Sequence, residues 1–225
     1  MAARLRASQW SCFALAIIAL QAHCAAQPQR DLQLWPELHA TAKINSSFVA
    51  TSYLSIRFAD NISRMFEQQY GAGVAYIPSR FRYLTFSPWY RYIRSQPTTT
   101  RTTHENRWAA DFFVKTPPFH RLVFSDRSRG EFRFINGNLS ERYRNRVQLE
   151  AEVEHAKHKL TPYLSWEPFY DTRFHVWNQR RYYVGARVPV KPRIWLEPYF
   201  MHRDDSRSLP RGTNAIYLAM NVSLR

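Results

Sequence analysis

Arg121-Leu122-Val123-Phe124-Ser125-Asp126-Arg127-Ser128-Arg129-Gly130-Glu131-Phe132-Arg133-Phe134, then Asn136-Gly137, then Glu141-Arg142-Tyr143-Arg144-Asn145-Arg146-Val147-Gln148-Leu149-Glu150-Ala151-Glu152-Val153-Glu154, is the stretch that decides the fold. Asn-Gly between two alternating runs is the strongest short-range hairpin signal. One face of the first arm carries Arg127, Arg129, Glu131 and Arg133, and one face of the second carries Arg142, Arg144, Arg146, Glu150, Glu152 and Glu154. The opposite faces carry Leu122, Phe124, Phe132 and Phe134, then Tyr143, Val147, Leu149 and Val153. Each arm is about fifteen residues long, against a usual five or six. Such a hairpin is either a very long soluble one, or it turns its apolar face to lipid and its charged face to a lumen.

The N-terminus bears on that choice. Arg4 and Arg6 precede the apolar run Phe13–Leu20, and Cys24-Ala25-Ala26 offers small residues for cleavage. This is the pattern of a secretory signal peptide over residues 1–26, leaving 27–225 as the mature chain. Both cysteines fall inside that segment, so the mature chain holds neither a disulfide framework nor a Cys-ligated metal. Nothing after Leu20 approaches eighteen uncharged apolar residues, so a membrane span here has to be a β-barrel. The formal net charge of +15 falls to +13 without Arg4 and Arg6. Export turns that basic excess away from nucleic acid and toward anionic lipid headgroups.

From Leu32 onward the chain reads as alternating strands parted by turn residues. The expected strands are Leu32–Ile44, Phe48–Phe58, Gln69–Ile77, Phe81–Ile93 and His104–Lys115, then the two hairpin arms. Leu160–Asp171, Tyr182–Val190, Ile194–His202 and Asn214–Leu224 follow. No helix is needed after the signal. Bacterial single-chain barrels have even strand numbers, so this count of eleven is expected to resolve to twelve, or to ten with Leu32–Ile44 outside the wall. The connections are expected to alternate, short after strands three, five, seven and nine and longer after four, eight and ten. That asymmetry would place the C-terminus in the periplasm.

Turn arithmetic predicts which inward charges meet. A two-residue Asn136-Gly137 turn sets Glu131 opposite Arg142 and, less favourably, Arg129 opposite Arg144. An Ala156-Lys157 turn sets Arg146 opposite Glu167 and Glu154 opposite Lys159. A three-residue Thr116-Pro117-Pro118 loop sets Glu105 opposite Arg129 and brings Arg107 one step from Glu131. Directly opposite side chains interact. The expected interior ladder is therefore Glu105, Arg107, Arg127, Arg129, Glu131, Arg133, Arg142, Arg144, Arg146, Glu150 and Glu167, with Arg187 and Glu197 nearby. Its two uses are to hold the wall together and to line a solute path. No nucleophile elbow, zinc motif or P-loop occurs, and no cofactor is expected. The tryptophans and tyrosines suit interfacial girdles.

Leu34-Trp35-Pro36-Glu37-Leu38, His104-Glu105-Asn106-Arg107, Asp126–Arg133, Glu141–Arg146, Trp166-Glu167-Pro168-Phe169-Tyr170 and Asn178-Gln179-Arg180-Arg181 together cover nearly the whole mature chain. In this order they resemble an uncharacterised family of bacterial outer-membrane β-barrels, a domain of unknown function. The resemblance implies an outer-membrane barrel without an established activity. One departure is the end Val222-Ser223-Leu224-Arg225, where such barrels usually finish on an aromatic residue read by the assembly machinery.

The sequence is thus expected to form an all-β, antiparallel up-and-down transmembrane barrel of 10–12 strands behind a cleaved signal peptide. It is expected in the bacterial outer membrane as a monomer, contacting membrane lipid, lipopolysaccharide and the barrel assembly machinery. The functional readings are a structural barrel or small-solute pore favouring anions, a lipid-modifying enzyme, and a soluble periplasmic ligand-binding barrel.

Overall fold

The computed structural model describes residues 31–155, 158–208 and 211–224. The expected signal peptide and the Ala156-Lys157 turn lie outside the described residues. The strands are β1 (Asp31–Lys43), β2 (Phe48–Ala59), β3 (Arg64–Tyr76), β4 (Leu84–Ser95), β5 (Thr103–Lys115), β6 (Leu122–Ile135), β7 (Asn138–Ala151), β8 (Val153–His155), β9 (His158–Asp171), β10 (Val176–Lys191), β11 (Ile194–Asp205) and β12 (Gly212–Leu224). No helix occurs among the described residues.

Each wall strand pairs antiparallel with its successor, β7 passing to β9. The sheet then closes on itself, because β1 also pairs with β12, in parallel, from Asp31↔Thr213 to Ala42↔Leu224. The three-residue β8 pairs with β9 past the end of β7 and adds no separate wall strand. The wall therefore has eleven strands. The count of eleven stands, the expected resolution to ten or twelve does not, and Leu32–Ile44 lies within the wall. An odd number of alternating strands cannot close without one parallel neighbour pair, and the β1–β12 seam is that pair.

The Asn136-Gly137 hairpin turns as the sequence predicts. Both residues have positive φ, 49° and 86°, as a two-residue turn matched to strand twist requires. The loop after β5 differs from expectation. Phe119 and Leu122 pair across their own tight turn, with His120 and Arg121 at positive φ. The connection thus consumes residues 116–121 rather than three, and residues 77–83 form a link one residue longer after β3. The expected alternation of short and long connections is absent, and with it the basis for orienting the C-terminus.

Two strands begin earlier than their alternation suggests, and each early start lies beside a β-bulge. On β3, Arg57↔Glu67 is followed by Phe58↔Met65, leaving Phe66 unpaired. On β10, Trp177↔Tyr170 is followed by Gln179↔Phe169, so Asn178 and Gln179 are both buried in succession. A bulge inserts one residue and breaks the period of two. Strands β9 and β11 run through Pro162, Pro168 and Pro198 without interruption. The second arm of the opening hairpin does break, at Glu152, and Glu152 and Glu154 are exposed rather than interior.

Alternate residues face inward. Trp35, Tyr163, Tyr183, Met201, Ala215 and Tyr217 form an apolar cluster inside the β1/β9–β12 side, with Tyr199 packed against it. Tyr199 stacks on Tyr217 at 4.1 Å between ring centroids. Gly185 makes room for this cluster, since a Cβ there would stand 2.4 Å from that of Tyr199. The outward face carries exposed Phe86, Trp108, Phe112, Phe124, Phe132, Leu149, Leu164, Trp166, Ile216, Leu218 and Met220.

Candidate functional site

Opposite the aromatic cluster, β5, β6, β7 and β9 point their charged side chains into the barrel. The β6–β7, β7–β9 and β8–β9 registers agree with the predicted pairings. Glu131 stands opposite Arg142 and Arg129 opposite Arg144. Glu154 stands opposite Lys159. Glu167 meets Arg146 with Arg146 Nη2 3.0 Å from Glu167 Oε2.

The β5–β6 register is a correction. Glu105 lies opposite Ile135, Arg107 opposite Arg133, and Arg129 opposite Asp111. The longer 116–121 loop slides the two strands six residues past the predicted pairing. Six is even, so every side chain keeps its face while its partner changes.

Two carboxylates organise the middle of the network. The Glu131 side chain is 0% exposed, with Arg142 Nη2 2.6 Å from Oε2 and Arg107 Nη1 3.9 Å from Oε1. Arg144 Nη2 lies 3.0 Å from Oε1 without hydrogen-bond alignment. Glu167, also 0% exposed, takes Arg127 at 2.5 Å, Arg146 at 3.0 Å and Arg144 at 3.5 Å. The Tyr183 hydroxyl donates to Glu167 Oε2 at 2.6 Å. Arg144 therefore bridges Glu131 and Glu167, and the like-charge pair Arg129/Arg144 is separated because Arg129 turns to Asp111.

Toward the Asn136-Gly137 end, Glu105 holds Arg107 and Arg133. Arg133 also reaches Asp171 at 3.6 Å. Toward the end where β12 finishes, Glu150 takes Lys115 at 2.9 Å and Arg187 at 3.6 Å, and Arg187 lies 3.7 Å from Glu197. All the residues expected in the ladder face the interior, but in separate groups. Glu105, Arg107, Arg127, Glu131, Arg133, Arg142, Arg144, Arg146 and Glu167 form one; Glu150, Arg187 and Glu197 form another; Arg129 pairs apart with Asp111.

Several interior residues went unread in the sequence. Asp111 shares the inward parity of Glu105 and Arg107 on β5, a signal that alternation alone carries. Arg57–Glu67, at 2.7 Å, and the group of Glu37, His39 and Tyr53 lie on β1–β3. Arg57 also lies over the Trp35 ring at 3.6 Å. Arg181 lies over Phe169 at 4.6 Å.

The motifs that fill this interior are spread over the same span that a family comparison recognises. The family described as "Protein of unknown function (DUF2490)" matches residues 32–212. This chain belongs to that family. The match runs from β1 to the first residue of β12, so the wall strands that carry the interior network fall within it. No curated protein matches the sequence.

Proposed function

We propose that this DUF2490 chain is an outer-membrane β-barrel whose interior is sealed by its own side chains, a structural barrel rather than an open pore. The observation that carries the reading is that every wall strand contributes a buried inward residue. These are Trp35, Ser55, Gln69, Ile93, Arg107, Glu131, Arg144, Glu167, Tyr183, Met201 and Ala215. A water-wide path would have to leave some of them wet. The seal lies in the half nearer the Asn136-Gly137 turn.

The membrane reading is supported by the outward apolar belt and by the export pattern of residues 1–26. Soluble monomers rarely expose so large a contiguous apolar surface. Strands of 12–16 residues are long enough for a tilted crossing, which needs about 9–11. Arg on a lipid face costs about 2–4 kcal/mol at mid-membrane, which supports keeping the guanidinium groups inside. The outward Asp126 is answered by Asn145, whose Nδ2 donates to both carboxylate oxygens at 3.0 and 2.9 Å. On this reading the belt contacts membrane lipid and lipopolysaccharide, the assembly machinery inserts the chain, and the barrel works as a monomer.

Planar-bilayer recording tests the seal. The folded protein should give no steady conductance, and a stable single-channel step would refute the sealed interior. Cell fractionation tests the location separately, since recovery in the soluble periplasm without detergent would end the membrane reading.

A further inference from the structure

The barrel interior is not filled throughout. A cavity of about 210 Å³ opens there among β1–β6, lined by His39, Tyr53, Trp89, Arg91, Asp111 and Arg129 with smaller residues between them. At a water's share of about 30 Å³, this is space for roughly seven waters or one small solute. Gly73 helps to make the room. A Cβ on it would stand 2.5 Å from Trp89 Cβ, so the glycine lets Trp89 lie back against the wall.

Arg91 is the unusual group in this cavity. Three interior arginines have no carboxylate partner among the described residues, namely Arg91, Arg181 and Arg203, and of these Arg91 alone lines the cavity. Arg91 donates from Nη1 to Gln69 Oε1 at 2.9 Å, while its Nε is buried with no partner. Its guanidinium lies 3.6 Å from the Tyr53 ring centroid and 4.6 Å from that of Trp89. With its faces against rings and its Nε buried, the Nη1/Nη2 end of the guanidinium is what remains to meet a ligand. A guanidinium edge is a planar fork of donors, matched to a carboxylate. Arg129 also lies against Trp89, but its edge is taken by both oxygens of Asp111. The cavity thus offers a single uncommitted cation between aromatic walls.

The geometry points to a binding site for a small organic carboxylate, a monoanion with a compact apolar or aromatic body. The carboxylate takes the Arg91 edge and the body rests against Trp89 and Tyr53. One free cation suits a monoanion better than a phosphate dianion, which would need a second. The site does not depend on which membrane, if any, surrounds the barrel.

Calorimetric titration of the full chain, refolded in detergent, tests this with benzoate, acetate and inorganic phosphate as separate probes. Benzoate should bind saturably at one site per barrel, and more tightly than acetate. Arg91→Gln should weaken it at least tenfold, or about 1.4 kcal/mol. Arg91→Lys, which keeps the charge and loses the fork, should weaken it less, and Arg203→Gln should leave it unchanged. The gel mobility of the folded barrel establishes that each variant folds; should Arg91→Gln fail to fold, Arg91→Lys carries the comparison. Absence of saturable benzoate binding, binding that survives loss of the fork undiminished, or phosphate binding without carboxylate binding would each overturn the assignment.

Discussion

Replacing Glu167 by Gln removes one charge from a fully enclosed point of the barrel and almost nothing of its volume. The carboxylate is 0% exposed, and three guanidinium groups and the Tyr183 hydroxyl converge on it. An amide can still accept at its one oxygen, but its NH2 must then face a cation or a hydroxyl already aimed inward. Removing one partner of a buried ion pair costs about 3–5 kcal/mol, because the other charge stays buried and uncompensated. Hydrogen bonds to charged groups contribute about 1.5–3 kcal/mol each, so losing even two reaches the same range. Glu197→Gln is the contrast. Its partner Arg187 is 3.7 Å away and both side chains are partly wet, so the loss should stay within about 1 kcal/mol. Urea unfolding of the refolded barrel, followed by tryptophan fluorescence and by gel mobility, measures both. If Glu167→Gln lies within about 1 kcal/mol of the parent, or matches Glu197→Gln, the interior is hydrated and the sealed barrel is wrong. Adding Arg127→Met to Glu167→Gln should recover part of the loss, since Glu167 is the only carboxylate paired with that cation among the described residues.

Two further outcomes follow from the wall. Gly185→Ala should destabilise by about 1–3 kcal/mol, because its Cβ would meet Tyr199 Cβ at 2.4 Å and Tyr163 Cζ at 2.9 Å; a lower urea midpoint at unchanged slope is the readout. Trp108→Arg should cost about 2–4 kcal/mol for the barrel folded in lipid vesicles, as expected for a charge on a lipid face. No loss in vesicles would mean that this exposed side chain does not meet hydrocarbon.

Much of the fold was legible because it rests on parity, and parity survives errors of register. Reading every second residue from Arg127 to Arg146 places the charges on one face whichever partner each finally meets. The β5–β6 loop shows this directly. A three-residue loop was predicted, residues 116–121 were used, and Glu105 lost Arg129 as its neighbour. Yet Glu105, Arg107 and Arg129 all remained inside, because a six-residue slip is even. What failed was whatever depended on an odd count. The single extra residues Phe66 and Asn178 hid the starts of β3 and β10. The closing seam failed to show for the same kind of reason, since pairing between the first and last strands leaves no turn between them to read. Arg91 was missed on another ground. Its partners are rings and an amide on β2–β4, and it has no carboxylate at a countable distance from a turn. Charge alternation finds residues that answer one another, so it is blind to the cation left over, which is where a ligand would bind.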